Sequence, residues 1–208
     1  MEFEQVDLPG HEGRKGYFMH TWSGGRYFPC DPRHTEVQIE DIATALSRKC
    51  RFGGHTHEFM SVAEHSVLVS LYKPELDPFE KLMHDAPEGY VDDMIRPLKM
   101  VPQLREPYIA IEELNAIAIA QRYDLTYPWP ASVKEADEAI CTLEMEYNIS
   151  AVDKGSLHDA SILPKDIKIQ FWTPKQAKQA FLDRFTELYR DRMIKADPFF
   201  KTVMSKRA

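Results

Sequence analysis

The sequence predicts an all-α fold, a bundle of at least six helices preceded by a short extended N-terminal arm. Three observations carry this. Four helix-start signatures recur along the chain, two further segments have helical apolar periodicity, and strand signals are confined to the first 40 residues.

In chain order, Arg26-Tyr27-Phe28 and Glu36-Val37-Gln38-Ile39 read as a short hairpin around the turn Cys30-Asp31-Pro32-Arg33. Residues 40–52 follow as a helix, with Ile42, Leu46 and Cys50 four apart and Gly53-Gly54 as the stop. Ser61-Val62-Ala63-Glu64 is an S-x-x-E capping box, and Asp77-Pro78-Phe79-Glu80 combines an N-cap, a first-turn proline and an acid at the third position. Residues 105–123 place Ile111, Leu114 and Ala118 on one helical face. Ser132-Val133-Lys134-Glu135 and Thr173-Pro174-Lys175-Gln176 mark two more helix starts. The last helix, 174–193, carries Ala177, Phe181, Phe185 and Leu188 on one side, a face made for docking. These pieces read as one domain over 1–208, with an arm at 1–39, a helical core at 40–150 and a C-terminal loop and docking helix at 151–208.

Composition narrows the function classes. With 208 residues, 43% hydrophobic and 28% charged, the chain can bury one substantial core. Its apolar runs fall far short of the roughly 20 residues that span a bilayer, and the acidic start MEFEQVDLPG lacks a basic n-region. No membrane partner is expected. Cys30, Cys50 and Cys141 are an odd number without a C-x-x-C pair, so neither a disulfide framework nor a thiolate cluster is suggested and a cytoplasmic location fits. A net charge of −7 with scattered Lys and Arg argues against a nucleic-acid polymer as partner. A small anionic ligand needs only a few local positive groups.

Chemistry concentrates in "EKLMHDAPEGY", residues 80–90, where His84-Asp85 is followed by Glu88. With 8 His and 15 Asp in 208 residues, chance supplies about 0.6 His-Asp pairs. The chain has two, and His158-Asp159, bounded by Gly155 and Pro164 without a following Glu, reads as a loop pair. His65 lies in the helix starting at Ser61 among Val62, Leu68, Val69 and Tyr72; a core histidine bonded to backbone is the plain alternative there. Asp137 shares its helix face with Val133, Ile140, Cys141 and Glu144. Burying two imidazoles and two carboxylates separately needs several compensations, whereas one divalent cation among His65, His84, Asp85 and Asp137 satisfies all four. Pro87 disfavours helical geometry at Ala86 and starts a new segment carrying Glu88.

These residues resemble the HD-domain phosphohydrolases, named for an ordered H…HD…D metal set, here His65, His84, Asp85 and Asp137 in "SVAEHSVLVS", "LMHDAPEGYVDDMIRPLK" and "VKEADEAI". More narrowly, "DIATALSRKCRFGGHT" and "HDAPEGYVDDMIRPLK" are similar to the compact nucleotide hydrolases that include deoxyribonucleoside 5′-monophosphatases and phage dATP triphosphohydrolases, over about Thr21 to Tyr189. The resemblance implies an HD-domain bundle, one divalent ion (Zn, Co, Mn, Fe, Ni or Mg), room for a second Mg arriving with substrate phosphates, a small-molecule nucleotide as partner, and a homo-oligomer. It assigns Arg51 to the phosphate, Phe52 to the sugar side, Glu88 to orienting water or accepting its proton, and Asp93 to an acid or network role. For Arg51, stabilising a helix C-terminus is the alternative. His55, in the loop pair with His57, and Lys99 are candidate substrate contacts, a plain loop histidine and a solvated surface lysine being the alternatives; Arg96 and Lys134 could likewise add positive charge for a polyphosphate, with a surface position as the alternative for each. Pro87 stands where related sequences often carry Ala or Ser, so Glu88 is expected to meet the site at an altered angle. The implied activity is metal-dependent hydrolysis of nucleotide phosphoester or phosphoanhydride bonds; the rival is a non-catalytic nucleotide sensor.

Overall fold

The computed structural model describes residues 3–6, 9–150 and 159–196. Two small antiparallel pairs form the N-terminal arm: β1 (Gln5–Val6) with β2 (Arg14–Lys15), and β3 (Met19–His20) with β4 (Arg26–Tyr27). Helical segments follow as α1 (Ile39–Arg48), α2 (Val62–Leu71), α3 (Pro78–Met83), the single turns α4 (Glu88–Val91) and α5 (Arg96–Lys99), α6 (Pro102–Tyr123), α7 (Ala131–Asn148) and α8 (Pro174–Ala196). The mainly helical architecture expected from the sequence is present.

The fold is built around α2. All of its residues except Leu71 are buried, and α1, α3, α7 and α8 pack on it, as expected for a helix apolar nearly all round. Its two core serines are satisfied locally, since Ser66 Oγ donates to Val62 O (2.9 Å) and Ser70 Oγ to Val67 O (2.7 Å). At its C-terminus the buried Lys81 ammonium donates to Tyr72 O (2.8 Å) and Lys73 O (3.0 Å), placing a cation at the negative end of the helix dipole. Along α8 the buried residues are Ala177, Phe181, Phe185 and Leu188, the face read from periodicity.

Several local expectations are corrected. Arg26–Tyr27 pairs with Met19–His20, not with residues 36–39, which instead lead through a 3-10 turn (His34–Glu36) into α1. The reason is the buried Arg14, whose Nε bonds Asp31 Oδ2 (2.7 Å) and whose Nη1 bonds Glu36 Oε1 (2.6 Å), so the Cys30–Arg33 turn is pinned away from a hairpin. The first helix stops at Arg48, because Lys49–Arg51 turns extended and pairs with Met60–Val62: Arg51 N donates to Met60 O (2.9 Å) and Val62 N to Lys49 O (3.0 Å). Residues 51–60 thus form a loop closed at its base. Helix α6 begins at Pro102 and buries Asn115, Ala116, Ala118 and Ile119; Leu114 is exposed.

The capping signatures divide. Ser61 Oγ accepts from Glu64 N (3.1 Å), and Thr173 with Gln176 closes both arms of a capping box. The buried Glu64 carboxylate does not return to Ser61; it accepts the N–H groups of Gln170 (2.8 Å), Phe171 (2.9 Å) and Trp172 (2.8 Å), fastening the approach to α8 onto α2. Asp77 and Ser132 are not side-chain caps of their helices, since Ser132 Oγ donates to Asp77 Oδ2 (2.6 Å) and α7 starts from Pro130.

Candidate metal centre

Three elements deliver the ligand-type side chains to one point. His65 comes from the middle of α2, His84-Asp85 from the turn leaving α3, and Asp137 from the second turn of α7. One atom from each of His65, His84 and Asp137 lies within 4.8 Å of the others, a group that could hold a metal ion. Asp85 adjoins it, with Oδ1 3.2 Å from His84 Nε2 and Oδ2 3.5 Å from His65 Nε2. Asp137 Oδ1 stands 3.1 Å from His65 Nε2 and 3.9 Å from His84 Nε2.

The hydrogen bonding of the two imidazoles fits a cation. His65 Nδ1 is 2.6 Å from Glu144 Oε1 and His84 Nδ1 is 2.7 Å from Lys81 O, so each ring is anchored through one nitrogen. The other nitrogen of each, Nε2, is buried, faces carboxylate oxygens at 3.1 Å (Asp137, from His65) and 3.2 Å (Asp85, from His84), and makes no hydrogen bond of good geometry among the described residues. Anchoring one imidazole nitrogen on a carboxylate or backbone carbonyl is how proteins orient a metal-ligating histidine. Two nitrogens with carboxylate oxygens suit a borderline divalent transition ion. Electrostatics agree with a site that gathers positive charge. Burial and Arg51 act to lower the pKa of His65, but Glu144 and Asp137 outweigh them and hold it up at about 9. Burial would raise the Asp137 carboxyl, yet contact with His65 and the charges of His65, His84 and Arg51 keep it well below the usual range.

Beneath the ligands lies a residue that sequence reading placed only as part of the Asp137 face. Glu144 is fully buried two turns along α7, and its second oxygen, Oε2, takes Arg51 Nε (3.0 Å) and Nη2 (2.9 Å). Burial would raise its pKa, but Arg51 and His65 hold it below the ordinary carboxylate value. Arg51 therefore stands at the base of the 51–60 loop and not at the end of α1; the inner edge of its fork is committed to Glu144, which leaves Nη1 on the outer side. Phe52 follows with a left-handed backbone (φ 54°), as does Gly53 (φ 62°), and the Phe52 ring lies 5.3 Å from the Arg51 guanidinium carbon. A non-glycine residue held in that region marks a position over-determined by its surroundings. The loop is fixed to the end of α7 by Asn148, which accepts from Glu58 N (2.8 Å) and donates to Glu58 O (3.0 Å). His55 is exposed on this loop, and His57 Nε2 is 2.9 Å from Ser150 Oγ.

Glu88 reaches the same region through the break that Pro87 imposes. The bonds Ala86 N to Met83 O, Glu88 N to Asp85 O and Gly89 N to Ala86 O, each 3.0 Å, run three residues back in place of four. In such 3-10 spacing residues i and i+3 eclipse, so Glu88 stands over Asp85. Its side chain is 6% exposed, Oε2 is buried with no hydrogen bond among the described residues, and Oε1 is 4.0 Å from Lys99 Nζ. Burial, then the charges of Asp85 and Asp93, raise the Glu88 carboxyl well above its ordinary value. Asp93 is half-buried, its N–H bonded to Asp92 Oδ1 (3.0 Å), while Asp92 pairs with Lys49 (2.9 Å). Lys99 sits between Glu88 and Glu112, 3.5 Å from the latter, and Tyr108 OH reaches Asp92 O (2.7 Å) and Glu112 Oε1 (3.2 Å). Glu112 and Tyr108 carry no motif, and nothing in the sequence singles them out. Of the second His-Asp pair, His158 lies outside the described residues; Asp159 accepts from Ser161 N (2.9 Å) at a 3-10 turn.

The class these observations define is a mainly helical protein with a His-His-Asp group able to hold a metal ion. Its likeness to known proteins is specific. The chain is 34% identical over 174 residues to the uncharacterized protein YfdR of Escherichia coli, covering 82% of this chain and 95% of that one. It is 29% identical over 185 residues to the uncharacterized protein RCAP_rcc00048 of Rhodobacter capsulatus, covering 81% and 93%. The chain belongs to the family of YfdR. No protein-family model matches it. Among the described residues, no helix is long and apolar enough to cross a membrane.

Proposed function

We propose that this protein is an HD-domain metal-dependent phosphohydrolase acting on nucleotides, a deoxynucleotide 5′-phosphatase or a deoxynucleoside triphosphate triphosphohydrolase. The observation that carries the reading is the pair of buried Nε2 atoms of His65 and His84, which face Asp137 and Asp85 and make no hydrogen bond of good geometry among the described residues, each ring being anchored through Nδ1. His65, His84, Asp85 and Asp137 would hold the ion. When bound, a divalent ion supplies Lewis-acid chemistry, polarising a phosphoryl oxygen and lowering the pKa of a water.

The chain's own residues supply the rest. Glu88, buried beside Asp85 and Asp93, whose charges with burial raise its carboxyl above the ordinary range, takes the proton of the attacking water at a carboxylate oxygen. Arg51 turns its outer guanidinium edge to the phosphate and offsets charge that develops on it. Lys99, between Glu88 and Glu112, adds a second positive group for a polyphosphate, and the charge of Asp93 helps to keep the Glu88 carboxyl raised. Phe52, beside Arg51, offers an apolar face toward the sugar.

The test is phosphate release from a panel of ribo- and deoxynucleoside mono- and triphosphates with Mn²⁺, Co²⁺, Zn²⁺ or Mg²⁺, scoring phosphate, pyrophosphate and triphosphate. Metal-dependent release of one of these products is the expected result, and the product separates phosphatase from triphosphohydrolase. Nucleotide binding with silence across the panel would replace this reading with the sensor.

A further inference from the structure

We propose that Glu144 is a positioning residue that ties anion binding at Arg51 to occupancy of the metal centre. The inference rests on the phosphohydrolase reading for the role of Arg51 and adds a residue and a regulation to it. One carboxylate serves two partners: Oε1 meets His65 Nδ1 at 2.6 Å, and Oε2 meets Arg51 Nε at 3.0 Å and Nη2 at 2.9 Å. Its side chain is wholly buried, so water does not compete for either oxygen. A buried carboxylate is tolerated when its charge is compensated and its lone pairs are filled, and these two partners do both.

The geometry gives each contact a directing role. Arg51 begins a loop in which Phe52 and Gly53 have positive φ, so no regular helix sets the course of its side chain. Glu144 fixes its inner edge and thereby aims the outer one. The same carboxylate fixes the His65 ring and so aims Nε2 at Asp137 and Asp85. A cation on Nε2 draws electron density from the ring and makes Nδ1–H a stronger donor to Oε1. Glu144 is then held harder, and Arg51 with it. Coupling of this kind is reciprocal: an anion on Arg51 must raise metal affinity by the factor by which the metal raises anion affinity.

The sign of one measurement separates positioning from simple charge. Removing a buried negative group should by itself tighten an anion; if Glu144 aims Arg51, removing it loosens the anion instead. The amide of E144Q keeps an acceptor oxygen at one position and places an NH2 donor at the other, so it cannot accept from His65 and Arg51 on separate oxygens as the carboxylate does. The full chain, stripped of metal, is titrated with Co²⁺ by visible absorption, and the Co²⁺-saturated protein is then titrated with inorganic phosphate. E144Q should bind Co²⁺ about 10- to 100-fold more weakly. At saturating Co²⁺ it should bind phosphate about tenfold or more weakly, the loss expected for one charge-assisted hydrogen bond. Weaker Co²⁺ with unchanged or tighter phosphate would overturn the proposal and leave Glu144 as a partner of His65 alone. Far-UV circular dichroism checks the fold of the variant. If E144Q does not fold, the wild-type protein decides: its Co²⁺ affinity should rise when phosphate is present, and equal affinities overturn the coupling. A wild-type protein that binds Co²⁺ and no phosphate would instead sink the phosphohydrolase reading itself.

Discussion

His65 and His84 each commit Nδ1 to the protein and present Nε2 to carboxylates, so the fold alone fixes the direction of both rings. The meeting of His65, His84 and Asp137 was legible in the sequence, because a histidine on an apolar helical face and an aspartate among Val, Ile and Cys both need a compensating partner; which ring nitrogen faces which group was not. Glu144 was less legible. It shares α7 with Glu135, Glu138 and Glu146, and composition does not separate the one buried glutamate from its more exposed neighbours. The signal available was its i+7 offset from Asp137, two helical turns along one face. Lys99 belongs to the same scale, a single ammonium held between two carboxylates from different helices. If it serves the substrate, Lys99→Met should raise KM for a triphosphate about tenfold, with metal content unchanged, as loss of one charge-assisted contact. Steady-state kinetics with parallel metal analysis checks this.

At the scale of elements, helix starts were readable because a cap is a local transaction between neighbours, as at Thr173 and Gln176. Glu64 kept the sequence spacing of a capping box but gave its carboxylate to Gln170–Trp172, more than 100 residues on, a partner no local rule supplies. The hairpin failed for the same reason, since Arg14 bonds across to Asp31 and Glu36. Pro87 is the element-scale feature with the largest chemical consequence. It withholds an N–H, the chain tightens to bonds of three residues, and Glu88 comes to stand over Asp85. Restoring α geometry changes the advance over three residues from about 360° to about 300°, enough to swing Glu88 aside. Pro87→Ala should therefore keep the metal and lower kcat about tenfold, a loss of transition-state contact worth roughly 1.4 kcal/mol. An unchanged kcat would show that the tightened turn does not matter.

At the scale of the whole molecule, α8 closes the bundle, and its buried Ala177, Phe181, Phe185, Leu188 face was readable as amphipathic spacing. Its polar fastening was not. Arg192 grips both oxygens of the buried Glu80 (2.7 and 2.9 Å) and also donates to Asp124 O, while Glu80 accepts from Thr126 N (3.0 Å). Arg192→Met should lower stability by roughly 1–3 kcal/mol, since a charged-group hydrogen bond is lost from a nearly buried acid, and calorimetry should show a fall in Tm without loss of turnover at 25 °C. The bundle so closed holds His65, His84, Asp85 and Asp137 together, the four residues proposed to hold the metal, with Glu88 beside them proposed to take the proton. The most direct measurement is metal per chain and phosphate release, taken side by side on Asp137→Ala and Glu88→Ala. Asp137→Ala should lose both metal and turnover, and Glu88→Ala should keep the metal and lose turnover; equal loss of metal in the two variants would contradict this division of roles.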